Sequence, residues 1–191
     1  MIDPYAINIV SVGNWNKKIF NPRWVSTHLF ELPDDKEFNA VVNPEEMEFG
    51  YVHKGILLLP RENALEVKLE KFDKNSKKFA GVIMNKILSK LPHTPLRAIG
   101  INIRYKFEAK DKFAFIDNFK KCHCTFGEFI VSQIKYTKQT DNCNINIITD
   151  FLEEIYNMNF NFHYIKAINF DEKFIQEHVD ETIEILKNGN K

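Results

Sequence analysis

Cys122-His123-Cys124 is the first grouping in this chain whose side chains could do chemistry. With Cys143 or His163 from elsewhere, its thiols and imidazole would make a zinc set. Structural zinc sites pair their ligands at wider spacing, however, and no second cysteine pair follows. A free cysteine otherwise behaves as a small apolar group. Loop and core roles therefore account for these residues, and no metal is expected. Gly13-Asn14-Trp15-Asn16 follows an apolar run, a place where α/β proteins often carry ligand loops, but it lacks the repeated glycines of a phosphate cradle. Trp15 reads instead as a plug over the core, since aromatic burial needs no ligand. His93-Thr94-Pro95 with Arg97 offers a base, a hydroxyl and a cation in one connection. A nucleophile pair also needs an orienting group, and a helix-to-strand turn explains the same residues with less. Gly-x-Ser-x-Gly, His-Glu-x-x-His, P-loop and dinucleotide fingerprints are all missing. Enzymatic activity has no positive support, and neither a cofactor nor a catalytic residue is expected.

Side chains of a different kind gather if the strands pair as their alternation suggests. Glu66, Lys68, Asn102, Arg104, Lys106, Gln133, Lys135, Asn144, Asn146 and His163 would then share one face of a sheet. Such a face is mixed in charge and rich in hydrogen-bonding groups. Its bland reading is a solvated outer surface, and its functional reading is a recognition surface. Asn102, Arg104, Lys106, Gln133 and Lys135 are the binding residues expected on the second reading. The balance of Lys and Glu argues against simple tracking of phosphates, which needs net positive charge.

The elements that must position these residues follow from local pattern. Tyr5 to Val12 is apolar on both faces and predicts a buried strand. Asn21-Pro22 predicts a helix start, with Asn as cap and Pro where its missing N–H costs nothing. Strands are expected at Val41-Val42, Phe49 to Val52, Ile56 to Leu59 and Ala64 to Glu70. In the last of these, Leu65, Val67 and Leu69 alternate with charged residues. Asp73 to Ser76 supply caps for a helix with a Phe79, Val82, Ile83, Ile87, Leu91 stripe, stopped by Pro92. Leu96 to Phe107 is the clearest strand. A short helix at Lys112 to Phe119 follows, then strands at Phe129 to Tyr136, Ile145 to Thr149 and Phe160 to Ile168. A final helix carries Phe174, Ile175, Val179, Ile183 and Leu186.

Two stretches carry a resemblance. Ile19-Phe20-Asn21-Pro22-Arg23-Trp24, led by Val12-Gly13-Asn14-Trp15-Asn16, and His93-Thr94-Pro95-Leu96-Arg97-Ala98-Ile99-Gly100-Ile101-Asn102 resemble motifs of a sporadically distributed family of uncharacterised bacterial proteins. The resemblance implies a bacterial source and an α+β fold, and brings no catalytic residue.

A chain of 191 residues, with 44% hydrophobic and 27% charged residues, has the composition of an ordered globular protein. Lys+Arg and Asp+Glu each number 26, so the overall basic footprint of a nucleic-acid binder is missing. No run is long and apolar enough to span a bilayer, and Met1-Ile2-Asp3-Pro4 does not open a secretion signal. Three cysteines at no framework spacing suit a reducing cytoplasm. The fold class expected is α+β: antiparallel sheet with amphipathic helices on one face, saddle or helix-grip in layout. It is expected as one domain of two similar halves, about 1–92 and 93–191, alike in pattern and not in residues. The function expected is a non-enzymatic module that associates with itself or another protein. It rests on sheet edges and on aromatics expected at the surface among the 17 Phe. Nucleic acid on a curved sheet, or a small molecule between helix and sheet, are the rivals; no membrane is involved.

Overall fold

Strand β1, Ala6–Gly13, lies at the centre of the molecule rather than at its rim, because it pairs on both sides with segments distant in sequence. The structure is a computed structural model that describes residues 2–33, 36–43, 48–108, 110–111, 132–152, 154–164 and 168–188. The expected helix at 112–119 and the Cys122-His123-Cys124 grouping lie outside these residues. After β1, a single 3-10 turn at Lys17–Ile19 leads to the first helix. It opens as α1, Pro22–Trp24, with Asn21 capping the Trp24 N–H at 3.0 Å, and widens into a π-helical segment, Val25–Phe30. Four strands follow: β2 (Asn39–Asn43), β3 (Glu48–His53), β4 (Ile56–Pro60) and β5 (Ala64–Leu69). Helix α2 (Lys74–Lys90) is capped by Asp73, whose carboxylate accepts the Ser76 N–H at 2.9 Å. Then come β6 (Leu96–Glu108), β7 (Gln133–Gln139), β8 (Cys143–Leu152), β9 (Ile155–Tyr164) and helix α3 (Glu172–Asn188).

The nine strands form one open antiparallel sheet in the order β2-β3-β4-β5-β1-β6-β9-β8-β7. The α+β class and the antiparallel sheet are as the sequence led one to expect. The last strand of each meander returns beside the strand that precedes it in the chain: β5 beside β1, and β9 beside β6. Strands β1 and β6 join these two sets, with Asn8 opposite Asn102 and Ile9 opposite Ile101.

Opposed residues of paired strands share a face. The helix-bearing face therefore collects Ile7, Ile9, Leu65, Val67, Ile101, Ile103, Tyr105, Phe160 and Phe162, all at 1% exposure or less. Helices α2 and α3 cover this face and touch each other. Gly81 of α2 marks the contact, because a Cβ there would lie 2.6 Å from the Phe170 carbonyl that leads into α3. This contact rotates α2 relative to the expected stripe. Ala80, Ile83, Met84 and Ile87 are buried, whereas Val82 is exposed. On α3 the buried stripe includes two polar residues, His178 and Thr182, beside Ile175, Val179 and Leu186.

Strand limits moved where polar residues alternate with apolar ones. β9 begins at Ile155, five residues before the expected Phe160, because Asn157 and Asn159 belong to its other face; Ile168 lies beyond its end. Trp15 is a plug as expected. It is 4% exposed, its Nε1–H donates to the Ser11 carbonyl at 3.0 Å, and its ring meets Phe20 edge-on. His93-Thr94 sits in the turn between α2 and β6, with the Thr94 N–H on the Leu91 carbonyl. The aromatics expected at the surface are, among the described residues, mostly interior. Among the described residues only Tyr5 and Phe49 are exposed large aromatics, since the strand aromatics all lie on the helix-bearing face.

Candidate binding face and open edge

The sheet face turned away from the helices holds all ten polar residues that alternation assigned to one surface. Four rows cross it. Lys68, Asn8, Asn102, Asn161, Asn146 and Thr137 stand opposite one another in one row. Glu66, Val10, Gly100, His163, Asn144 and Gln139 form the next row on one side. Ala6, Arg104, Asn159, Ile148 and Lys135 form the next on the other. Beyond them stand Lys106, Asn157, Asp150 and Gln133. Gly100 is required where it stands, since a Cβ would lie 2.4 Å from the Phe162 carbonyl of β9. The five expected binding residues are thus on one face, with Asn102, Arg104 and Lys106 along β6 and Gln133 and Lys135 on the outermost strand.

Sequence reasoning missed the amides of β1 and β9: Asn8, Asn157, Asn159 and Asn161. The signal was present in the alternation Asn157-Met158-Asn159-Phe160-Asn161-Phe162. Hydrogen bonds link these amides across strands. Thr137 Oγ1 donates to Asn146 Oδ1 (2.9 Å), Asn146 Nδ2 to Asn161 Oδ1 (3.3 Å), and Asn161 Nδ2 to Asn102 Oδ1 (2.9 Å). Across β1, Asn8 Nδ2 donates to the Glu66 carboxylate. Asn8 is 3% exposed, yet its Oδ1 has no partner, and neither has the buried Oδ1 of Asn159.

The charges on this face are unevenly engaged. Gln133 Nε2 binds Asp150 at 2.6 Å, Glu66 accepts from Asn8, and Lys68 lies 3.3 Å from Glu70. No ion pair or side-chain hydrogen bond joins Arg104, Lys106 or Lys135 to any described residue. The unengaged charges are therefore cationic, although the chain is neutral overall.

No protein-family model matches the chain, and no curated protein matches it. On the helix-bearing face, the grouping nearest to a reactive set is Cys143, Tyr164 and His178. The Nδ1 of His178 lies 2.7 Å from the Phe174 carbonyl, so it carries the proton and Nε2 accepts from the Tyr164 hydroxyl. Burial pushes the Cys143 thiol and the Tyr164 phenol up and holds the His178 imidazole down. All three are thus neutral near pH 7, which suits a packed hydrogen-bond network and not a nucleophile, since attack requires a thiolate. Tyr105 behaves alike: burial raises it to about 12, and its hydroxyl lies 2.6 Å from Thr182 Oγ1. Among the described residues no three of His, Cys, Asp and Glu gather to hold a metal ion, and no helix is long and apolar enough to cross a membrane.

The two ends of the sheet complete the surface. Among the described residues β2 has a strand neighbour on one side only. It reads Asn39-Ala40-Val41-Val42-Asn43, without charge or proline, and Val41 and Val42 are 46% and 53% exposed on opposite faces. Phe49, opposite Val42, is 56% exposed. Beside them a groove of about 370 Å³ runs between the strands and the first helix, floored by Phe20, Val42, Phe49, Tyr51 and Pro60, with Lys17 and Lys18 at its rim.

Proposed function

We propose that this chain is a cytoplasmic protein-interaction module that accepts an extended segment of a partner protein along β2. The open, uncharged edge of β2 carries the reading. Soluble proteins guard such edges with lysine, proline or a bulge, because unpaired N–H and C=O groups template pairing with another chain. An added strand would complete the backbone hydrogen bonds of β2. It would also set alternate side chains against the groove floored by Phe20, Phe49 and Tyr51, which is how strand addition gains specificity.

The sequence around β2 points to the partner's chemistry. Residues 34–48 contain six acids, Asp34, Asp35, Glu37, Glu45, Glu46 and Glu48, against one Lys36. Antiparallel pairing of β2 with a second β2 would bring acids towards acids. A segment that is apolar in its middle and basic at its ends fits better.

Hydrogen exchange with such a peptide, for example alternating valine and threonine between terminal lysines, tests the reading. Added peptide is expected to slow exchange across Asn39–Asn43 and to leave Gln133–Gln139 unchanged. Light scattering over a concentration series separates capture of another protein from self-pairing. A strictly monomeric chain whose β2 amides gain no protection from the peptide would overturn the proposal.

A further inference from the structure

The amide row on the polar face is broken at its centre, and the break has a direction. From β7 inward every donor points the same way: Thr137 to Asn146, Asn146 to Asn161, and Asn161 to Asn102. On the far side Asn8 continues in that sense, donating to Glu66 on β5. Between them, Asn102 and Asn8 are register partners on adjacent strands, yet their amides do not bond to each other. The Glu66 carboxylate accepts only, so it holds the Asn8 Nδ2 towards β5 and turns Oδ1 away. Asn161 likewise occupies the oxygen of Asn102 and leaves its Nδ2 as an unmatched donor. Asn8 Oδ1 is thus a buried acceptor without a partner, and its register partner Asn102 keeps a spare donor on the adjacent strand; leaving such an acceptor unmatched is costly.

A single group that both accepts and donates would close this break, and a hydroxyl does so. Two residues along β6, about 7 Å away, stands Arg104, partly buried and without an anion among the described residues. Its register neighbours are the small Ala6 and Asn159, whose buried Oδ1 is also unmatched. A water molecule would satisfy the two amides but leave Arg104 without a counter-charge. A hydroxyl and an anion carried on one molecule satisfy both.

We propose that the centre of the polar face binds a ribose phosphate, the sugar hydroxyl bridging Asn102 and Asn8 and the phosphate meeting Arg104. The guanidinium fork suits phosphate oxygens, and Lys106 and Lys135 extend the cationic side of the same surface. The ribose 2′-hydroxyl is both donor and acceptor, and it is the group by which a protein tells RNA from DNA. No Phe, Tyr or Trp of the described strands lies on this face. The large aromatic platforms that usually grip single strands by stacking are therefore not supplied by these strands, and the proposed recognition rests on sugar and phosphate.

The experiment compares a short mixed-sequence RNA with DNA of the same sequence, and AMP with dAMP, at low salt, about 50 mM. RNA is expected to bind about tenfold more tightly than DNA, the worth of one good hydrogen-bonded group. If AMP is preferred over dAMP while RNA fails to bind, the site serves a free nucleotide and the proposal stands. Arg104→Gln is expected to weaken binding of both polymers and to lower the salt dependence by about one phosphate contact. Asn102→Leu is expected to reduce RNA to the level of DNA without changing DNA binding. Equal affinity for the ribo and deoxyribo forms, or no binding of any of the four, overturns the proposal. It does so independently of strand capture at β2, which is read from different residues.

Discussion

The two ends of the sheet follow opposite rules. At one end β2 is short and uncharged, exposes Val41 and Val42 on both faces, and adjoins an apolar groove. At the other end β7 is longer and carries Lys135 on the polar face and Lys138 on the helix-bearing face. Ile134 and Tyr136 of β7 are half-buried against the core. The groove beside β7, about 390 Å³, is lined by Glu181 and Glu184 as well as by Tyr136 and Ile147. Lysine on an edge strand opposes pairing with a further strand, because adding one would desolvate the ammonium groups. Among the described residues, one end thus carries charge that opposes pairing and the other carries none. The two proposals fall on different parts of the sheet, strand capture at the rim and polar recognition in the middle.

The largest expected effect tests what supports the open end. Trp15→Ala removes a plug that is 4% exposed and should cost about 3–5 kcal/mol, seen as a lower denaturation midpoint. Tyr164→Phe in the other half should cost clearly less, because it removes one hydroxyl and no ring. An equal cost would mean that the two halves are anchored alike.

Charge placed on the edges comes next. Val42→Lys, at a site 53% exposed, should leave the melting temperature nearly unchanged. It should also weaken capture of the strand peptide by at least about tenfold, or 1.4 kcal/mol. The reciprocal change, Lys135→Val with Lys138→Val, should make β7 associate in a concentration-dependent way visible by light scattering. If β7 stays inert without its lysines, charge is not what guards that end.

A smaller contrast lies in two histidines, His178 buried and His53 half-buried. Burial holds His178 below the ordinary imidazole value. It holds His53 there too, with help from Lys54 and Lys36, whereas Glu177 and Glu181 work the other way on His178. Each folded imidazole resists a proton that the unfolded chain accepts. Stability is therefore complete above the unfolded value of about 6.5 and declines as pH falls from there towards the folded value. His178 is the more deeply buried, and it must lose its hydrogen bond from Tyr164 to take the proton. Between about pH 7.5 and 5.5, His178→Gln should flatten the pH dependence of the denaturation midpoint more than His53→Gln does. The reverse order would assign the acid sensitivity to the β2 half. The smallest change expected is Tyr105→Phe, about 1 kcal/mol, because Thr182 Oγ1 keeps its bond to the Val179 carbonyl at 2.7 Å.

Much of this architecture is legible residue by residue. Leu65, Val67 and Leu69 turn inward and Glu66 and Lys68 outward because side chains alternate along any strand. Asn21 and Asp73 cap helices because their side chains satisfy N–H groups that a helix leaves open. Less legible was β7, expected at Phe129 to Tyr136 and running over Gln133–Gln139. A lysine-bearing edge strand dilutes the apolar alternation by which strands are recognised. In α3, Ile175, Val179 and Leu186 were legible from their spacing, but His178 and Thr182 were not, since they are polar and become interior only by finding Tyr164 and Tyr105.

The sequence by itself determined which side chains share a face, where helices start, and that one sheet face would be polar, because these follow from backbone periodicity and local hydrogen bonding. Only the tertiary structure decided which strands are neighbours. Asn102 meets Asn161 across 59 residues of chain, and Asn8 meets Glu66 across 58. Pairing over such distances rests on the summed burial of whole strands, which no local pattern specifies. The broken amide row on the polar face and the place of β2 at the end of the described sheet are both products of that order.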